Sequence, residues 1–223
     1  FLNVESFALF PRRPDIAPAL IIGKGDVAWA ARYPSWMKEV YTFGNDVYFV
    51  YPEGTLMEGE KKYKEILDDH GKHAPTAGEA IVKALKQKGL DKGKIGFDEK
   101  NAYPETRALV AEGLPQAKIM DAFELFRVIR MVKTPEELMR IKEAGLLNER
   151  SAQSVLNRLA EGVSEEELTQ HFLECTAKEG AVFEFWNTAS GTQSAMTIMS
   201  YGHHHPRAKY RLKKGDMFRY DGG

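Results

Sequence analysis

One cysteine, Cys175, stands among 223 residues, so no intramolecular disulfide can form and burial must hold the chain together. That usage fits a reducing compartment, and a cytoplasmic location is expected. Cys175 falls in a predicted amphipathic helix, where a single thiol reads as a small buried hydrophobe rather than a nucleophile. No apolar run approaches the roughly 18 residues a membrane span needs, so no membrane partner is expected. Net charge is also scarce. At −1 there is no global field to recruit nucleic acid or anionic lipid, and neither is expected as a partner. The basic stretch Arg207–Lys214 reads as a solvated turn before a strand. No secretory leader is visible, and the chain opens on Phe1 in mid-pattern, as if an earlier strand and helix were missing. The sequence therefore reads as a piece of a longer protein, cut at both ends.

Apolar residues are not scarce: at 43% they are enough to bury one or two cores. Residues 17–22 and 27–30 flank Gly23-Lys-Gly-Asp26 and predict a β-hairpin. Asp46–Tyr51 is β-branched and aromatic, a strand ended by Pro52 and Gly54. Thr76-Ala-Gly-Glu79 has the form of a capping box opening a helix through Leu85, closed by Gly89. Strands at 94–98 and 117–120 bracket a short helix at 105–112. Alternation of this kind argues for an α/β layer structure.

A second unit starts near Arg130. Thr134-Pro-Glu-Glu137 combines an N-cap threonine, proline at the first helical position and glutamate at the third. The helix it opens is expected to end at Gly162. Ser164-Glu-Glu-Glu167 is another capping box, for a helix through about Lys178 closed by Gly180. Phe183–Trp186 and Met217–Tyr220 read as strands, and Phe183, Phe185 and Trp186 as core. The division expected is 1–129 and 130–223.

Candidate chemistry concentrates near the C-terminal end. His203, His204 and His205 are consecutive in a chain with six histidines. Between Gly202 and Pro206 they read as a surface loop, or as a loop that turns one or two imidazoles toward a site as metal ligand or oxyanion partner. Asp221 ends a plausible strand and precedes Gly-Gly. It is either a turn aspartate or a carboxylate held by a divalent cation. Asp216, after Gly215, reads as a turn residue.

These segments resemble the creatinase, prolidase and aminopeptidase P family of pita-bread metallopeptidases. The matching residues are Val132-Lys-Thr-Pro-Glu-Glu-Leu138, Gly162-Val-Ser-Glu-Glu-Glu-Leu168, Gly180-Ala, Ala189-Ser-Gly191, His204-His205-Pro206, Leu212-Lys-Lys-Gly-Asp216 and Asp221-Gly222-Gly223. His204 stands seventeen residues before Asp221, the family's offset between a histidine and the aspartate that opens the metal site. The first 130 residues are similar to the family's smaller N-terminal domain. The resemblance implies an α+β protein: an α/β creatinase-type N-terminal domain followed by the first half of a pita-bread domain.

It also implies hydrolysis of X-Pro peptide bonds by a two-metal site with Mn, Co or Zn. Asp221 would be the first metal ligand, with the other four downstream. His204 would contact substrate and stabilise the tetrahedral intermediate, beside His203 as a substrate contact. A proline-containing peptide is the implied substrate, and a homodimer the implied assembly. Two features depart from the family pattern. Met196–Tyr201 lengthens the stretch before the histidines, which leaves the register of His203 against His204 open. Arg219 stands where relatives are apolar, which implies a strand with one wet or ligand-facing side. A non-catalytic peptide- or protein-binding module and a creatinase-like hydrolase of non-peptide C–N bonds are the alternatives. The 223 residues alone, with one of five ligands, are expected to be inactive.

Overall fold

The computed structural model describes residues 5–33, 35–45, 54, 56–98, 100, 102–195 and 210–223. The chain divides into two units, Phe1–Met131 and Val132–Gly223. Helices and sheets are mixed throughout, the α+β class expected.

In the first unit β1 (Phe7–Leu9), β2 (Ala19–Gly23), β3 (Glu39–Phe43) and β4 (His73–Ala74) form one sheet in that order. β1 is antiparallel to β2, and the other neighbours are parallel. Parallel neighbours need crossovers. α1 (Val27–Arg32) lies between β2 and β3, and α2 (Glu58–Asp68) between β3 and β4. After α3 (Ala77–Gln87), β5 (Gly93–Phe97) and β6 (Ala117–Asp121) form a separate parallel pair, linked through α4 (Pro104–Gly113). α3 opens as expected: Thr76 Oγ1 accepts from the Glu79 amide at 3.3 Å, and Glu79 accepts from the Thr76 amide at 3.1 Å. Its apolar stripe (Ala80, Ile81, Ala84, Leu85) packs in one core with Ile21, Tyr41, Phe97, Val110 and Leu114.

The expected hairpin is overturned. β2 is flanked by β1 and β3, and Val27–Arg32 is helical. Neither Gly23 nor Gly25 takes a positive φ, so the turn signal was never used. Val27 is fully buried with Ile22 and Val40, against Tyr63, Ile66 and Leu67 of α2. That tertiary contact, together with helix-forming alanines, outweighs local hairpin preference. Residues 46–51, expected as a strand, lie outside the described residues. α5 (Phe123–Met131) closes the unit.

The second unit begins with α6 (Pro135–Leu156), whose capping box is present: Thr134 N donates to Glu137 Oε2 at 2.7 Å, and Glu137 N donates to Thr134 Oγ1 at 3.2 Å. α6 ends at Leu156, not near Gly162. Beyond it Gly162 N donates to Leu212 O at 2.7 Å and Leu212 N to Val163 O at 2.9 Å, so this backbone pairs across the fold instead of along a helix. α7 (Glu165–Lys178) starts at the second expected box, with Ser164 N donating to Glu167 Oε2 at 2.8 Å. β7 (Trp186–Ser190) and β8 (Phe218–Gly222) form an antiparallel pair. The strand expected at Phe183–Trp186 thus lies further on. Residues 184 and 185 send their amides to Gly223 O, at 2.6 and 3.1 Å, which closes the end of the pair. No helix among the described residues is long and apolar enough to cross a membrane.

Candidate active site

Alternation along a strand sorts β7 and β8 into two faces. On one, Trp186 stacks on Phe172 of α7, ring centroids 4.0 Å apart, and on Tyr220, at 4.9 Å. Trp186 and Phe172 are both 1% exposed, so this face is the unit's core, with Val155, Leu168 and Leu212. Phe183 packs at its edge, whereas Phe185, also expected in the core, is exposed. The other face carries Asn187, Ala189, Arg219 and Asp221. Asn187 sits directly across from Asp221, and Ala189 across from Arg219. The Asp221 side chain is exposed and makes no hydrogen bond or ion pair among the described residues.

The strand end that presents Asp221 is held firmly. Asn148 of α6 donates to Gly222 O at 2.9 Å, and Gly223 N donates to Phe185 O at 3.0 Å. A Cβ on Gly222 would come within 2.5 Å of the Trp186 ring, so the tryptophan stack requires glycine beside the aspartate. Asp221-Gly222 is therefore a packing motif as well as a chemical one.

At the opposite end of β7 the fold builds a second anchor. Glu165, the first residue of α7, is fully buried, and Ser190 Oγ donates to its Oε1. A buried carboxyl group needs such a partner. Gly191 follows with φ +58°, and a Cβ there would overlap the Tyr210 hydroxyl. Tyr210 donates to Asp216 Oδ2 at 2.7 Å, and the same carboxylate oxygen accepts from Lys213 N at 2.8 Å. Gly191 N donates to Met217 O at 3.0 Å. Asp216 is thus a turn residue, as expected, and it helps bring Gly191 and Tyr210 together. Residues 203–205 lie between these anchors in sequence. His203, His204 and His205 are outside the described residues, and so is the expected pairing of His204 with Asp221.

Two readings of the charged segments are refined. The end of the basic stretch is partly tied down, with Arg211 donating to Glu167 Oε2 at 2.7 Å and to Gly162 O at 3.0 Å. The Ser164 amide, the Ser164 hydroxyl and Arg211 together hold the Glu167 carboxyl below its ordinary range. Glu165 was missed as a separate actor because its triplet reads as a cap, and its partner Ser190 is 25 residues away. Cys175 is half-buried rather than buried, its Sγ 3.4 Å from Ser154 Oγ and 3.6 Å from His171 Nε2. Among the described residues no three His, Cys, Asp or Glu side chains converge as a metal site. Asp221 fits a hard cation as one oxygen donor and cannot hold an ion alone.

No family model matches the chain. Over 142 residues it is 27% identical to creatinase from Bacillus sp. (strain B-0618), covering 62% of this chain and 34% of creatinase. In fold it is similar to Xaa-Pro dipeptidase from Bacillus anthracis, with a TM-score of 0.62 and 17% identity over 99% of this chain and 56% of that one. X-Pro aminopeptidase from Thermotoga maritima MSB8 gives a TM-score of 0.61 and 19% identity, over 93% and 48%. The chain spans about half the length of these solved structures or less. It shares the fold of creatinase- and prolidase-type enzymes, and resembles creatinase in sequence.

Proposed function

We propose that, starting from this shared fold, the chain is part of a metal-dependent hydrolase that cleaves X-Pro peptide bonds as a dipeptidase or aminopeptidase. The observation that carries the reading is Asp221: an exposed carboxylate with no described side-chain partner, at the end of a strand pair whose other face is core. The similarity in fold to two X-Pro peptidases supports it. In a longer parent Asp221 joins further carboxylates and a histidine to hold two divalent ions, Mn, Co or Zn. Bound there, such ions activate water and polarise the scissile carbonyl. This chain's own residues have narrower tasks. Asn148 and Gly222 fix the strand end so that the carboxylate is presented without rearrangement. His204 contacts the peptide and supports developing negative charge, beside His203. A homodimer is the proposed assembly.

The second reading is a creatinase-like hydrolase of a non-peptide C–N bond, favoured by the sequence similarity to creatinase. One experiment separates the two. The longer parent, with Mn, Co or Zn added, is assayed on an X-Pro dipeptide and on creatine, as wild type and as Asp221→Ala. Dipeptide turnover lost in the variant supports the first reading, and creatine turnover alone the second. Turnover of neither substrate with intact folding favours a binding module and overturns both.

A further inference from the structure

The second unit carries a cluster of donor atoms that the hydrolase reading does not use. His171 and Cys175 stand four residues apart on α7 and therefore share a face. That face meets α6. Ser154 Oγ lies 2.7 Å from His171 Nε2 and 3.4 Å from Cys175 Sγ, and Sγ lies 3.6 Å from Nε2. Nitrogen, oxygen and sulfur thus form a small triangle, half-buried at the seam between the two helices. The imidazole is held firmly there, with its side chain only 10% exposed. Its far nitrogen, Nδ1, is buried and has no hydrogen-bond partner, and Glu174 Oε2 stands 3.8 Å from it.

A polar seam that only joins two helices satisfies its buried nitrogens, and this one leaves Nδ1 over. A cation on Nε2 resolves that. The ring proton is then fixed on Nδ1, and a small turn of the exposed Glu174 side chain brings its carboxylate to it, the way metal-binding histidines are ordinarily held. The spacing selects the ion. With bonds of about 2.3 Å to sulfur and about 2.0 Å to nitrogen, tetrahedral coordination sets the two donors roughly 3.5 Å apart, and a linear arrangement about 4.3 Å. The observed 3.6 Å is the tetrahedral spacing. We propose that Cys175 and His171 chelate a Zn²⁺ ion at the α6–α7 seam, with the Ser154 hydroxyl and water completing its four positions. Thiolate and imidazole are donors that suit this ion. The ion replaces the hydrogen that Nε2 shares with Ser154, and the thiol proton leaves to solvent as the sulfur binds. Two strong ligands are fewer than the four of a closed structural site, so the ion is exchangeable.

Co²⁺ is the probe, because it takes the same tetrahedral donors and a thiolate bond to it gives a near-ultraviolet charge-transfer band. Cys175 is the only cysteine of the 223 residues, so that band can come from no other side chain. Titrating the 223-residue chain with Co²⁺ should raise the band to a plateau at one ion per chain, and Zn²⁺ should then bleach it. Cys175→Ser should remove it. His171→Gln should weaken binding by more than the roughly 10–100-fold typical of a residue that only supports a ligand, and Ser154→Ala by less. Circular dichroism checks that each variant is folded. A second measurement needs no variant: alkylation of Cys175 by iodoacetamide should slow severalfold with Zn²⁺ and stay unchanged with Mg²⁺, which prefers oxygen donors. A band untouched by His171→Gln means that sulfur binds alone and overturns the chelate. A plateau at half an ion per chain puts the ion between the thiolates of two copies and overturns it as well. So does the absence of any band, or alkylation at one rate with and without Zn²⁺.

Discussion

The central strands of the first unit and the strand pair of the second make opposite use of a sheet. β2 and β3 are buried along most of their length, with Ala19, Ile21, Ile22, Val40, Tyr41 and Thr42 nearly inaccessible. β7 is buried along its whole length, Asn187 and Ala189 included, whereas its partner β8 is only part-buried and exposes Asp221. Their second face holds the polar set Asn187, Arg219 and Asp221, with Asn187 and Asp221 directly opposed. A strand buried throughout has no room for chemistry, whereas an exposed strand end backed by a packed core can hold a side chain in place while presenting it.

The contrast is broken most severely at Asp221. In the longer parent Asp221→Ala should cut X-Pro turnover by more than the roughly 10–100-fold typical of residues that only support a metal ligand. Its urea midpoint should hardly move, because the side chain is exposed and unpaired. A large shift in that midpoint would make Asp221 structural. Trp186→Ala inverts the expectation. Removing the ring between Phe172 and Tyr220 should cost about 3–5 kcal/mol in chemical denaturation, with the first unit's transition unchanged.

Two smaller effects sharpen the comparison. Gly191→Ala places a methyl against Tyr210 in a backbone region side chains avoid, and should cost about 1–3 kcal/mol, read from thermal or urea unfolding. Loss of the Tyr210–Asp216 bond should accompany it. The mildest effect is in acid. The folded state holds the Glu167 carboxyl below its ordinary range, so its stabilisation is present above that range and is lost as pH falls through the lowered value. Glu167→Gln should therefore be less stable than wild type near neutrality, and the gap should close between about pH 5 and pH 3. A gap that stays constant with pH would exclude the charge as its source.

What the sequence disclosed follows the range of the interactions. The boxes at Thr76, Thr134 and Ser164 were legible because each partner lies three residues away. α2 was not foreseen: its N-cap is Met57, with no polar side-chain cap to announce it. The false hairpin arose where Val27 answers to Val40 and to α2 rather than to its neighbours. The placement of Asp221 on a strand was legible from the run before it. Gly222's service to Trp186 and Glu165's hold on Ser190 were not, since each depends on a distant element.

The closure at Gly191, Tyr210 and Asp216 bears on how such a protein diversifies. Gly191 and Tyr210, far apart in sequence, are brought into contact beside the Asp216 turn, so the chain returns to the strand pair close to where it left it. Doubling a flexible loop costs only about 0.6 kcal/mol in closure entropy. A change of length between two residues so held is therefore cheap, and it leaves the strand pair that carries Asp221 as it is.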